Sequence, residues 1–217
     1  MKKIMMMLAA AMLLTATTAN AQFRKKDNAR VPDRFHMGIR GGVTASTLTG
    51  DNTDDIKGLW FPTGGFGLDF QVAPVPIFLG VGLYYQNQGY SYERTYTTGS
   101  SRYGYSTYTQ TKDIDAHCVQ LPLTASYHIN VAPNLFINPF LGPWFSYNCT
   151  DIDNDEDWND DRFDYGVRFG CGMNFGRLTL DLGYDIGLKN WYDGNKDYTI
   201  NTGILFMTVG FNWAGSR

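Results

Sequence analysis

Apolar and polar residues alternate one by one along much of this chain, which is the period of a β-strand with one face against an apolar medium. The clearest run is 163–175, where aromatic, aliphatic and sulfur side chains occupy every second position and Asp, Gly, Arg and Asn fill the others. A second run, 178–188, repeats the pattern after only Gly176 and Arg177. Together they predict a β-hairpin with a two-residue turn.

Eight such runs predict eight antiparallel strands. They span roughly 35–48, 63–72, 77–90, 115–128, 135–148, 163–175, 178–188 and 202–213. The connections at 73–76, 130–134 and 176–177 are short, whereas those at 49–62, 91–114, 149–162 and 189–201 are long and polar. Strict alternation of short and long connections is typical of a barrel with periplasmic turns and surface loops. We predict an all-β fold, an eight-stranded antiparallel transmembrane β-barrel with both termini in the periplasm.

The first residues indicate export. Lys2 and Lys3 precede a short apolar run, and Ala19-Asn20-Ala21 has the small-x-small pattern of a cleavage site. The apolar run is too short for a spanning helix, so residues 1–21 are predicted to be a cleavable signal peptide. The rest divides into a basic periplasmic leader at 22–34, the barrel at 35–213 and a C-terminal tail at 214–217.

The inward positions of the predicted strands carry Gly mixed with charges of both signs. Side chains fill the interior of an eight-stranded barrel, so a diffusion porin is disfavoured. We expect the charges to pair and plug the lumen, although ionisable groups at membrane depth are also functional candidates. A lipocalin-type soluble barrel would need an apolar interior instead. The predicted lumen charge network is Arg40, Asp69, Asp164, Arg168, Asp181, Asp185 and Lys189.

The two-residue turn also predicts a register. It places Arg168 opposite Asp185 and Asp164 opposite Lys189 inside the barrel. The same register pairs two sets of residues on the lipid face, namely Phe169 with Tyr184 and Val167 with Ile186. Three prolines fall inside predicted strands, where a missing N–H interrupts the ladder, and a local bulge is expected there. They are Pro122, Pro139 and Pro143.

Two predicted surface loops carry candidate binding chemistry. The acidic loop that contains Asp151, Asp153, Asp155 and Asp157 begins like a calcium loop, but Glu156 and Arg162 stand where an EF-hand needs Gly and a bidentate Glu. A solvated acidic loop is the simpler interpretation. The loop 91–114 is rich in Tyr, Thr, Ser and Gly. It is either a mobile loop or a hairpin that extends strands three and four, with Tyr90 and Tyr92 facing Tyr103 and Tyr105, and would suit a surface protein or glycan ligand.

The remaining composition narrows the function. Loss of Lys2 and Lys3 takes the formal net charge from −3 to −5, which gives no support for a nucleic-acid partner. The odd number of cysteines, Cys118, Cys149 and Cys171, leaves at least one free, and no C-x-x-C pair suggests a metal or redox cofactor. His36 and His128 should point inward near the periplasmic rim and His117 should lie near the surface rim. None is beside a Ser in a spacing that forces a dyad, so an enzyme is unsupported.

Several motifs resemble the small outer-membrane β-barrel family of Gram-negative bacteria, which includes PorT-like and OmpX-like proteins. They are Gly38-Ile39-Arg40-Gly41-Gly42-Val43 with 46–48, Leu121-Pro122-Leu123, Gly142-Pro143, the Gly-spaced run 164–175, and 178–184 with Gly187. The resemblance implies residence in the cell outer membrane, contact with its lipid, and insertion by the barrel-assembly machinery.

Three functions remain as hypotheses. The first is a non-enzymatic outer-membrane protein with a structural or adhesin-like role, in which the extracellular loops make contacts. The second, implied by the PorT-like resemblance, is a membrane-embedded accessory of a protein-export system. The third is an outer-membrane enzyme, for which the residues give no support.

Overall fold

The structure is a computed structural model that describes residues 35–50, 56–72, 75–100, 104–132, 134–150, 162–190 and 199–214. Within these ranges the chain forms strands and no helix. They are β1 (Phe35–Gly50), β2 (Ile56–Gln71), β3 (Ile77–Ser100), β4 (Gly104–Tyr127), β5 (Ile129–Ala132), β6 (Leu135–Asn148), β7 (Phe163–Phe175), β8 (Leu178–Gly187) and β9 (Ile200–Ala214). Among the described residues, no helix is long and apolar enough to cross a membrane.

The strands close into a barrel. Neighbours pair in the order β4-β3-β2-β1-β9-β8-β7-β6-β5, and β4 also pairs with β6. The short β5 continues the pairing of β4 with β6 after a break at His128, whose N–H donates instead to the Pro76 carbonyl at 2.8 Å. Because β4 and β5 together make one wall strand, the predicted eight-stranded antiparallel barrel is confirmed. The predicted fourth strand ends at 128, but the wall continues through β5, so the connection predicted at 130–134 is wrong in its bounds.

The outer and inner faces have opposite chemistry. Along β7 every second residue from Asp164 to Asn174 is buried, and the residues between them are exposed or half-buried. Exposed apolar side chains occur on strands all around the barrel and include Ile39, Phe70, Leu83, Leu141, Leu182, Met207 and Val209. An apolar exterior around a polar interior is the arrangement of a membrane barrel and the reverse of a lipocalin.

Aromatic residues mark the two edges of this apolar exterior. We call the end with the turn at 176–177 the turn end, and the opposite end the loop end. Exposed outward aromatics are Trp60, Tyr85, Tyr147, Phe163 and Tyr165 towards the loop end, and Phe70, Phe175, Phe211 and Trp213 towards the turn end. From Tyr165 to Phe175, ten residues at about 3.3 Å each and a tilt of about 40° span about 25 Å along the barrel axis, the height of a lipid-facing band.

The β7–β8 hairpin has the predicted register. Phe175 lies opposite Leu178, and Gly176 has a φ of 58°. A positive φ at only the first of two turn positions is the pattern of a type II′ turn, which favours Gly there. Arg168 lies opposite Asp185, as predicted. The outward pairs Phe169–Tyr184 and Val167–Ile186 are confirmed as well.

The expected bulges at the three prolines are wrong. The β6–β7 ladder runs without interruption through Pro139 and Pro143, and Pro122 lies opposite Trp144 of β6. Towards β3, Pro122 has no paired residue. The β3–β4 register is nevertheless the same on both sides of this gap. In an antiparallel sheet the N–H and the C=O of one residue point to the same neighbouring strand. A proline lacks the N–H and therefore interrupts the hydrogen bonds to that one neighbour only. No bulged extra residue is required.

The β3–β4 hairpin extends far beyond the rest of the barrel. The pairing of β2 with β3 ends at Tyr92, but β3 and β4 stay paired to Ser100 opposite Gly104. Eight consecutive pairs beyond Tyr92 correspond to about 26 Å at about 3.3 Å per residue. The prediction of a hairpin is confirmed, but its pairing was wrong: Tyr90 lies opposite Ile114 and Tyr92 opposite Lys112.

Candidate functional site: the lumen charges and the projecting hairpin

The first layer of charge in the lumen surrounds Arg40 of β1. Its Nη2 donates to Asp69 Oδ2 of the neighbouring β2 and its Nε to Asp181 Oδ2 of β8, both at 3.0 Å. Only β9 lies between β1 and β8, so the second bond spans that strand on the inside of the barrel. Gly67 of the neighbouring β2 leaves room for the cation, because a Cβ there would overlap the guanidinium group.

The second layer is a closed ring of three side chains. Arg168 Nε and Nη2 each donate to one oxygen of the Asp185 carboxylate at 2.7 Å, the bidentate geometry that gives strong charge-assisted bonds. Nη2 also donates to Gln120 Oε1 at 2.6 Å, and Gln120 Nε2 donates to Asp185 Oδ2 at 2.9 Å. The Phe206 ring lies 4.2 Å from Arg168 Cζ. Asp185 and Gln120 are fully buried, so this layer fills its level of the lumen.

The remaining two predicted charges lie towards the loop end. Asp164 Oδ2 accepts a bond from the Thr202 hydroxyl at 3.0 Å, and Lys189 Nζ donates to the Phe163 carbonyl at 2.9 Å. The β7–β8 register, from which the Asp164–Lys189 pair was predicted, extends to this level of the barrel, because the Leu188 N–H donates to the Tyr165 carbonyl. The direct contact of Asp164 with Lys189 stays a prediction.

A cavity of about 80 Å³ lies inside the lumen, between Asn138 at the turn end and Gln86 above Arg40. Arg40 Nη1, Gln86 Nε2 and Asn138 Oδ1 are buried there without a hydrogen bond to the described protein atoms. Buried polar atoms of this kind bind internal water, and about 15 Å³ accommodates one molecule. The arrangement supports a small hydrated chamber beneath the Arg168 layer.

The histidines form two separate groups. His128 stacks on Phe78 with ring centroids 3.8 Å apart, and His36 lies beside the same phenyl ring at 5.6 Å. Both imidazoles point inward at the turn end, as predicted. His117 lies towards the loop end, where its Nδ1 is 2.6 Å from the Tyr85 hydroxyl and 2.8 Å from Asn87 Oδ1. Neither partner is the activated nucleophile that a hydrolase needs.

The candidate metal loop and the cysteines are the remaining candidate sites from the sequence. Asp151, Asp153, Asp155 and Asp157 lie outside the described residues, so calcium binding stays a prediction. Within the described ranges, no three His, Cys, Asp or Glu side chains could hold a metal ion. All three cysteines are free, with Cys118 buried and Cys149 and Cys171 exposed.

The projecting hairpin carries its side chains on two faces of different chemistry. Tyr96 lies opposite Tyr108, and their rings stack with centroids 5.4 Å apart and planes 21° apart. These rings are 37% and 53% exposed. The positions between them belong to the other face, where Thr95 lies opposite Thr109 and Thr97 opposite Thr107. The sequence pattern gave the Tyr and Thr content of this segment but not these pairs, because the hairpin register was misjudged.

Comparison with known protein families identifies the chain. A family model described as "Outer membrane protein beta-barrel domain" matches residues 20–193. This chain belongs to that family. It is therefore a protein of the cell outer membrane with lipid around its apolar exterior. The PorT-like relationship within the family stays a prediction. No curated protein matches the chain.

Solved structures of small outer-membrane barrels resemble it at low identity. Neisserial surface protein A (NspA) is 13% identical, with 82% of this chain and 97% of that chain covered and a TM-score of 0.43. Ail, the attachment invasion locus protein of Yersinia pestis, is 12% identical, with 84% and 100% covered and a TM-score of 0.39. The outer-membrane enzyme PagL is 12% identical, with 76% and 97% covered and a TM-score of 0.38.

Proposed function

We propose that this barrel is a closed, non-enzymatic surface protein of the outer membrane that contacts other molecules through its β3–β4 hairpin. The observation that carries the proposal is the run of eight hairpin pairs beyond the last β2–β3 pair at Tyr92. A regular hairpin fixes the backbone of its contact residues before binding. Less conformational entropy is then lost on association than for an irregular loop of the same length.

The side chains that fill the lumen favour a contact function and argue against transport of solutes. The Arg168, Asp185 and Gln120 ring occupies the interior at one level, and Arg40 with its two carboxylates occupies it at another. Solutes of sugar size would have to break buried charge pairs to pass. The predicted charge network is thus best interpreted as a structural plug. Among the residues that the structure describes, the exposed hairpin is the segment that offers side chains for contacts outside the barrel.

The test is a hairpin deletion that preserves the barrel. Residues 93–111 are replaced by Asn-Gly, so that the pair Tyr92–Lys112 is closed by a two-residue turn. A matched control removes residues 193–197 from another predicted loop. Cells that carry each variant are compared for outer-membrane level, heat-modifiable gel mobility, and adhesion to immobilised host and bacterial surface material.

We expect both variants to reach the outer membrane and fold, and only the hairpin deletion to abolish adhesion. Adhesion that survives the hairpin deletion, or that is lost equally in the control, would contradict the proposal.

A further inference from the structure

The stem of the hairpin has a composition unlike the rest of the chain. Residues 95–111 contain Tyr, Thr, Ser, Gly and Gln, a single charge at Arg102, and no aliphatic side chain. In the barrel wall, by contrast, aliphatic residues recur at every second position. The absence of aliphatic residues agrees with a segment that stands clear of the membrane, and the low charge limits the ligands that it could attract.

One face of this stem carries an exposed pair of aromatic rings. The Tyr96 and Tyr108 rings stack on each other with planes 21° apart, and both residues remain partly exposed, so part of each ring is still available to a ligand. Ser106 and Gln110 occupy the next register positions along β4 on the same face, two residues to either side of Tyr108. Both are exposed, so a hydroxyl and an amide flank the rings.

We propose that this face, the Tyr96–Tyr108 platform, binds a neutral glycan. The inference rests on the proposed contact function and names the partner class. The C–H-rich face of a sugar ring packs on an aromatic ring, while its hydroxyls exchange hydrogen bonds with hydroxyl and amide side chains. Two rings with centroids 5.4 Å apart match the scale of one or two adjoining sugar units.

Other partner classes fit the platform less well. A polyanion such as nucleic acid or a sulfated polysaccharide requires a cluster of Lys and Arg. Residues 93–113 carry three cations (Arg94, Arg102 and Lys112) against two carboxylates (Glu93 and Asp113), a net charge of only +1. A protein interface of ordinary size buries about 800 Å² on each partner, more than two Tyr rings at about 150–250 Å² each provide. A short, neutral, hydroxylated ligand needs neither a cluster of cations nor a large contact area.

The probe is an array of immobilised neutral hexose oligosaccharides, with heparin and polygalacturonate as anionic comparators. The purified full-length protein is applied in detergent micelles. We expect it to bind members of the neutral set and to ignore the polyanions. Y108A should weaken that binding by about tenfold, the loss of a typical aromatic anchor. Y108F keeps the ring and should stay within about threefold of the parent.

The matched control lies on the opposite face of the same stem. T107A and T109A remove exposed side chains from the strand that carries Tyr108, and we expect glycan binding within twofold of the parent. Hydrogen exchange of the amides at 94–110 shows whether each variant keeps the hairpin. A Y108A variant that loses the hairpin is replaced by Y108L, which keeps an apolar residue opposite Tyr96.

Comparison with the 93–111 deletion separates this inference from the proposed function. If the deletion abolishes adhesion but no neutral glycan binds, or if the Thr variants lose binding as much as Y108A, the glycan platform is wrong and the contact function stands. Binding of heparin alone would also overturn the platform. If the deletion leaves adhesion intact, the contact function itself fails.

Discussion

Removal of the Arg168 guanidinium would show how much the lumen plug contributes to stability. R168M keeps an unbranched side chain of similar length but takes both charge-assisted bonds from the Asp185 carboxylate. That carboxylate is fully buried, and the hydrogen bond from Gln120 Nε2 would remain. Loss of one partner from a buried ion pair costs about 3–5 kcal/mol, mostly because the other charge remains without compensation.

Two further variants test whether the loss of stability in R168M comes from the unpaired Asp185 carboxylate. The double variant R168M/D185L removes both charges, and replacement of a buried pair by apolar residues is often close to neutral. We therefore expect a coupling free energy of about 2–4 kcal/mol between the two sites. R40M is the comparison, because Asp69 and Asp181 retain 23% and 18% exposure of their side chains and can be solvated in the lumen. Its cost should be about 1.5–3 kcal/mol.

The assay is equilibrium unfolding in guanidinium with the protein in phospholipid vesicles. Trp144 is fully buried beside the plug, so its fluorescence should report the transition. Heat-modifiable gel mobility provides an independent measure of the folded fraction. An R168M variant within about 1 kcal/mol of the parent, or a double variant as unstable as R168M, would refute the view that an uncompensated buried charge dominates.

Two other predictions concern the wall and the lumen. In planar bilayers the protein should give no stable open channel, because side chains fill an eight-stranded lumen; a conductance of nanosiemens order would show that the interior has been misread. G42A should prevent folding in a refolding assay, because a Cβ at residue 42 would overlap the Met207 carbonyl oxygen. G41A should fold normally, because the atom nearest to a Cβ at residue 41 is the Thr63 carbonyl oxygen at 3.9 Å. Equal refolding yields of the two variants would contradict the packing argument.

The membrane-spanning part of the fold was predictable because lipid and lumen impose opposite demands on alternate residues. The run 163–175 meets both demands at every position, so its bounds, its inward face and the register of its hairpin all follow from the pattern. The first seven residues of β2, from Ile56 to Pro62, were missed. Pro62 suggests a loop, although it keeps its pairing with Val43 of β1.

The projecting hairpin was harder to predict for a physical reason. Beyond the bilayer no apolar face is required, so strands built from Thr and Tyr carry no lipid-facing alternation. The register of such a hairpin depends on its distant end, where Ser100 lies opposite Gly104, whereas an apolar pattern would fix it locally. The sequence therefore allows a hairpin as one of two interpretations of this segment, but the Tyr pairs predicted for it are wrong.

The lumen charges show a similar limit. Alternation places Arg40 and Asp181 inside, and a two-residue turn pairs Arg168 with Asp185. The bond from Arg40 to Asp181 joins strands that are not neighbours, and the role of Gln120 depends on the width of the barrel. Neither follows from strand order along the chain. Contacts across a closed lumen require the three-dimensional structure.

The account depends most directly on which end of the barrel faces the outside of the cell. Thr109 lies on the projecting hairpin and Arg177 in the turn at the opposite end. In a background in which all three cysteines are replaced, T109C and R177C can be treated on intact cells with a membrane-impermeant maleimide. We predict labelling of T109C and no labelling of R177C until the outer membrane is permeabilised. Labelling of R177C alone on intact cells would reverse the orientation and contradict a surface role for the hairpin.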